Sequence, residues 1–215
     1  MSHLCFADLD PIARKATLPR AQRWPRKQDF KLRMADRTLP PEFFNRGAEG
    51  VALALLGNGL ARRRGKRLSC YKITETEAYV GPHDLACHAA RGRTKRTEVM
   101  YGPPGSLYVY LVYGMHWMLN VVTGEVGYPA AVLIRGIEAI RGPGRLTKTL
   151  GITGSLNGAS ASEVAGLWFV DRGEPPSLAQ IIRTPRIGVG YAGPLWAAKK
   201  FRFILDERQT RAEFP

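Results

Sequence analysis

Glu77 and Arg135 are the residues whose types and surroundings first suggest chemistry. Glu77 lies in an apolar-flanked, strand-like run at 68–80, and Arg135 is the lone charge in another at 130–137. A carboxylate and a guanidinium placed this way form either a structural ion pair or a general base with the cation that keeps it ionised. Tyr79 stands two residues beyond Glu77. In a strand that spacing points both side chains to one face, so a flat aromatic surface lies beside the acid. Tyr108 and Tyr110 share a face of their own run by the same rule. Tyrosines in strands mostly serve packing. Tyr113 is harder to explain as packing, because it falls in Tyr113-Gly114-Met115 between two strand-like runs. An aromatic or apolar wedge at such a tip can unstack base steps from the minor groove.

Arg91, Arg93, Lys95 and Arg96 follow His88 with only small or hydroxylated residues between them. That composition suits a grip on phosphates either side of a distorted site. His83, Cys87 and His88 hint at a metal, but no fourth ligand stands at a usual zinc spacing, so no metal is expected. Thirty-two Lys and Arg against eighteen acids leave a net charge of +14 over 215 residues. Such an excess favours a polyanionic partner, since each phosphate neutralised releases a counterion. The alternative is a basic enzyme whose charge is only a solvated surface. No run of 18 apolar residues is present, so no membrane span is expected. A signal-peptide pattern is also missing, and the scattered Cys5, Cys70 and Cys87 suit reduced thiols in a cytoplasm.

The elements that must position these groups follow from periodicity. Residues 1–36 carry recurrent prolines and basic residues without an apolar period, and read as a disordered basic tail preceding a domain at 37–215. Ala48, Val51, Ala52, Leu55 and Leu56 recur at helical spacing, with Asn45 as the expected N-cap and Gly57 as the stop. The basic run at 62–67 reads as a turn between strands, usually a solvated loop and here also a candidate for phosphate contact. Strands are expected at 68–80, 106–112, 116–122, 130–137, 167–170, 187–189 and 202–205. Gly142-Pro143-Gly144 opens a short helix with Leu146 and Leu150 on one face, stopped by Gly151. Neither a repeat nor an alternating βαβ period appears. The expected class is α+β, a domain with a mainly antiparallel sheet.

Six blocks occur in order: TETEAYVGPHDLACHA, GRTKRTEVM, GSLYVYLVYGMHWMLN, AAVLIRGIEA, GPGRLTKTLGI and RIGVGYAG. Together they resemble the alkyladenine (3-methyladenine) DNA glycosylase family from about Leu39 to about Leu205, and most closely its bacterial members. The resemblance implies a single compact domain with a curved, mainly antiparallel sheet, helices around it and a protruding β-hairpin, similar to the C-terminal domain of methionyl-tRNA formyltransferase. It also implies a monomeric, monofunctional base-excision repair enzyme acting on duplex DNA without metal or organic cofactor. In that reading Glu77 activates the water, Arg135 stands beside that water and the carbonyl of Ile187 is its third contact. Tyr79, His88 and Tyr110 are the walls stacking on a flipped purine, and the His88 backbone N–H meets the base edge. Asn120 excludes the 2-amino group of guanine. Tyr113 fills the gap left in the duplex, flanked by Gly114 and Met115, while Arg91, Arg93, Lys95 and Arg96 hold DNA. The main rival is a non-catalytic basic nucleic-acid-binding module, which gives no reason for an acid facing the same way as Tyr79.

Overall fold

The computed structural model describes residues 37–206 except Glu174; the expected tail at 1–36 lies outside them. In chain order the first half forms β1 (Arg37–Thr38), α1 (Pro41–Phe44), α2 (Ala48–Leu55), β2 (Gly59–Arg64), β3 (Arg67–Tyr79), β4 (Leu107–Val112) and β5 (His116–Thr123). The second half forms β6 (Ala130–Ile137), β7 (Ile140–Arg141), α3 (Pro143–Leu150), β8 (Leu167–Asp171), β9 (Ile181–Thr184), α4 (Gly193–Ala198) and β10 (Arg202–Leu205). Every pairing is antiparallel, in the order β1-β8-β2-β3-β6-β5-β4, with β10 against β3 and β9 and with β7 against β6. The result is a single α+β domain built on one curled sheet.

β3 carries the curl. Its first half pairs with β2, and its second half pairs with β6 on one side and β10 on the other. The register with β6 slips between Ile73 and Glu75 and again between Glu75 and Thr76. Such a bulge bends a strand and re-aims the side chains beside it. The change of partner and the bulge therefore fall immediately before Glu77.

Helices fill the inner side of the curl. Ala48, Val51, Ala52 and Leu55 recur along one face of α2 and are all buried, sharing a core with Leu60, Ile73, Leu119, Val132, Ile134 and Phe203. The N-cap of α2 is Gly47, not the expected Asn45, because Asn45 already closes the preceding turn as the C-cap of α1. In α3, Pro143 occupies the first turn, Leu146 and Leu150 are buried, and Gly151 at φ 59° supplies the left-handed cap. Arg62 donates to the carbonyls of Leu150 (3.0 Å), Gly151 (3.1 Å) and Gly166 (3.0 Å). A cation at the end of a helix satisfies its orphan carbonyls and complements its dipole. Arg62 therefore leaves the group of candidate phosphate contacts for a structural post. No helix among the described residues is long and apolar enough to cross a membrane.

The strands expected from the sequence match closely at β3, β4, β5, β6, β8 and β10. The expected strand at 187–189 does not form. The chain is a strand earlier, at β9, and Gly188 at φ 77° then turns it through a loop. The backbone N–H of Ile187, which a ladder would use, is donated to a side chain instead.

Candidate active site

Side chains from four strands and two loops line a small recess that opens to solvent. β3 supplies Tyr79, β4 supplies Tyr108 and Tyr110, β5 supplies Asn120 and β6 supplies Ala131; Ala86, Cys87, His88, Met100 and Tyr191 complete the wall. The alternation of a strand explains why both β4 tyrosines face the recess. Their rings lie 5.0 Å apart, and the His88 ring meets Tyr110 edge-on at 4.6 Å. His88 Nδ1 and the Tyr108 hydroxyl are 2.9 Å apart. Asn120 is buried, and its Nδ2 donates to the Tyr108 carbonyl at 3.1 Å, which fixes the amide on the floor.

Glu77 is not itself a wall of the recess. Its side chain is fully buried, and Tyr79, which is a wall, donates its hydroxyl to Glu77 Oε2 at 3.0 Å. Glu77 Oε1 accepts the Ile187 N–H at 2.8 Å and faces Arg135 Nη1 at 3.4 Å. The structure thus brings Ile187 to the carboxylate through its N–H, whereas the resemblance assigns a role to its carbonyl. Burial pushes the Glu77 carboxyl above the usual carboxylate range, with Arg135, the Ile187 N–H, Tyr79 and Arg186 pulling the other way. Burial likewise pushes the Tyr79 phenol well up, and the neighbouring carboxylate adds to this. His88 is pushed down to about 4 by burial and by the guanidinium groups of Arg96 and Arg91. Its imidazole is therefore neutral near pH 7.

Two supports stand behind these groups. Glu75 Oε1 accepts from Arg135 Nε at 2.9 Å and from Arg202 Nε at 2.7 Å, so it clamps the guanidinium that faces Glu77. Asp84 and Arg186 form a fully buried bidentate pair, Nη2 to Oδ1 at 2.8 Å and Nη1 to Oδ2 at 2.5 Å. Asp84 also accepts the N–H groups of Val80 and Ala86, while Arg186 donates to the Ala78 carbonyl. The guanidinium carbon of Arg186 lies 4.8 Å from the centre of the Tyr79 ring. This pair ties the end of β3, the loop bearing Ala86–His88 and the Ile187 loop into one frame. Sequence reasoning missed Glu75, Asp84 and Arg186. The two-residue alternation that joins Glu77 to Tyr79 could have found Glu75. No local signal marks the other two, which are 102 residues apart in sequence.

The candidate DNA contacts divide. Tyr113 and Met115 are 87% and 69% exposed at the hairpin tip, among the most exposed large apolar side chains described. Met115 N–H donates to the Val112 carbonyl at 3.1 Å, with Tyr113 at φ 52° and Gly114 at φ 68° between them. Positive φ at both central residues defines a type I′ turn, the tight connection that suits twisted strands. Arg91 and Lys95 are exposed, whereas Arg93 holds Glu98 at 2.8 and 2.6 Å. Arg96 lies over the Tyr110 ring at 4.9 Å and reaches the Leu111 carbonyl at 3.5 Å. Among the described residues no three His, Cys, Asp or Glu side chains gather as metal ligands. His83 packs on Trp196, and Cys87 Sγ faces the Pro129 carbonyl.

A family model described as methylpurine-DNA glycosylase matches residues 42–209 of this chain. The chain belongs to that family. A protein of Myxococcus xanthus named "Putative 3-methyladenine DNA glycosylase" is 45% identical over 186 residues, covering 82% of this chain and 94% of its own length. Relatives of the same name occur in Legionella pneumophila, 42% identical over 178 residues, and Methanocella arvoryzae, 43% identical over 175 residues. They cover 80% and 72% of this chain, and 96% and 86% of their own lengths. The family implies a DNA glycosylase that repairs alkylated bases, with damaged DNA as its substrate.

Proposed function

We propose that the protein flips alkylated or deaminated purines out of duplex DNA and hydrolyses their N-glycosidic bond with a water activated by Glu77. The substrate class is that of 3-methyladenine, 7-methylguanine, hypoxanthine and ethenoadenine. The observation that carries this reading is the hydroxyl of a recess wall, Tyr79, lying 3.0 Å from a buried, arginine-flanked carboxylate. A carboxylate has about four acceptor positions. The Ile187 N–H and the Tyr79 hydroxyl take up two of them, one on each oxygen of Glu77, and Arg135 faces Oε1 as an ion-pair partner. The free position on Oε2, the oxygen away from Arg135, is the one that would orient water towards C1′ of an extruded nucleotide.

The recess is walled by flat rings and floored by an amide, a lining that suits a planar base with polar edges. Tyr79, His88 and Tyr110 offer ring faces and edges to that base, and Asn120 lies where the 2-amino group of guanine would press. Loss of the purine builds positive charge on the sugar, as in other glycoside cleavages. A base alkylated at N3 or N7 is already cationic and departs readily. Glu77 then supplies the base for attack from the opposite face, with inversion at C1′. A neutral base such as hypoxanthine also needs a proton, and neutral His88 is a poor source of one near pH 7. Cationic lesions are therefore removed more readily than neutral ones.

The hairpin tip and the exposed Arg91 and Lys95 would hold the duplex, with Tyr113 occupying the space of the extruded base. The test uses a duplex carrying one 7-methylguanine or hypoxanthine. Incubation followed by alkali should break the strand at the lesion. Breakage without alkali would indicate a built-in lyase, and binding without any alkali-labile product would leave only a nucleic-acid-binding module.

A further inference from the structure

Among the four basic residues that follow His88, Arg96 is placed differently from the rest. Its guanidinium carbon lies 4.9 Å from the centre of the Tyr110 ring, and its Nη2 reaches the Leu111 carbonyl at 3.5 Å. Tyr110 is a wall of the recess, while Arg96 itself is not. Arg93 nearby is neutralised by Glu98, yet no described ion pair includes Arg96. The charges deeper in the site are matched: Arg135 and Arg202 by Glu75, and Arg186 by Asp84. Arg96 is therefore an uncompensated positive charge in contact with the aromatic wall.

Accepting the reading that the recess holds a flipped purine, we propose that Arg96 is a specificity-determining residue that biases the site against cationic bases and towards neutral ones. Two effects act in the same direction. The electron-rich face of a tyrosine attracts cations, and a guanidinium already over Tyr110 draws on that attraction before a methylated purine can. Like charges across a partly dry recess also repel, and they do so more strongly than in water. The reach of this charge is visible in the other walls, since it adds, with Arg91, to the burial that lowers the His88 imidazole and works against the burial that raises the Tyr108 phenol. Glu77 pulls the opposite way, attracting a cationic base. The balance between Glu77 and Arg96 then sets how far the site prefers alkylated over deaminated purines. Arg91 and Lys95 are exposed as Arg96 is, and Arg91 also lowers His88, but the described contact with the Tyr110 ring belongs to Arg96; Arg91 and Lys95 would act mainly on phosphates and so on all lesions alike.

The test is single-turnover excision of 7-methylguanine and of hypoxanthine from otherwise identical duplexes, by the full chain and by Arg96→Gln and Arg96→Lys. Arg96→Gln should raise the 7-methylguanine to hypoxanthine rate ratio by about two- to fivefold, the size of one exposed cation–π contact. Arg96→Lys, which keeps the charge, should leave the ratio close to that of the unaltered protein. A change in both rates by the same factor would make Arg96 a plain phosphate contact and overturn the proposal. If the unaltered protein removed neither lesion, the proposed function would fall first. Excision of both lesions with a ratio unmoved by Arg96→Gln would sink this inference alone.

Discussion

Glu77 is held by two hydrogen bonds and a facing guanidinium in a fully buried position, so its environment, rather than its own chemistry, decides when it can act as a base. Burial raises its affinity for a proton, and the ionised form is the one that takes a proton from water. The excision rate for a cationic lesion should therefore rise with pH, with a midpoint above the ordinary glutamate value. Arg135→Gln removes an attraction to the carboxylate and should move that midpoint higher; a pH–rate profile of the chemical step checks both statements. The same shift bears on stability. The folded chain keeps the Glu77 proton at pH values where an unfolded chain has lost it, so this group's contribution declines as pH rises through that window. Asn120 invites a separate prediction, because its amide is fixed to the Tyr108 carbonyl. Asn120→Ser should admit undamaged guanine, measured as new alkali-labile sites at guanines in undamaged duplex; unchanged excision would remove its guarding role. At this scale the sequence was readable where a two-residue repeat links neighbours, as for Glu77 with Tyr79 and Tyr108 with Tyr110. It was silent where a partner comes from a distant strand or loop, as for Arg202 and Arg186.

The elements were legible wherever pattern and punctuation agree. β6 and β10 begin and end where their apolar runs do, and α3 lies between Gly142 and Gly151 as its capping signals require. The loop at 187–189 shows the limit. Its Ile and Val look like strand residues, but the Ile187 N–H serves Glu77, and that demand from the site overrides local propensity. The element-scale weak point is the Asp84–Arg186 pair, which joins β3 to two loops. Asp84→Ala leaves a buried guanidinium unpaired and should cost about 3–5 kcal/mol, lowering the thermal midpoint by roughly 10 °C. A midpoint within a degree of the unaltered protein's would contradict that. The hairpin tip makes the complementary prediction. Tyr113 is strained at φ 52° and 87% exposed, so its loss should leave stability nearly unchanged. Tyr113→Ser should weaken flipping and DNA affinity, read from a fluorescent base analogue opposite a fixed partner; normal flipping would rule out the wedge.

Across the whole molecule, six ordered blocks spread over the globular chain announced the family, and a match over residues 42–209 establishes it. The net charge of +14 agrees with a DNA substrate, but the structure assigns part of it elsewhere: Arg62 caps a helix, and Arg135, Arg186 and Arg202 hold carboxylates. Composition alone could not separate those posts from a DNA-facing surface. What the fold achieves is to bring a bulged strand, a hairpin and two loops around one recess, with Glu77 behind its wall. The most direct measurement of the central claim is single-turnover excision by Glu77→Gln, run beside binding to the same 7-methylguanine duplex. Retained binding with a loss of several orders of magnitude in excision is the result expected of a general base. Excision at an undiminished rate would show that the buried carboxylate takes no part in breaking the bond.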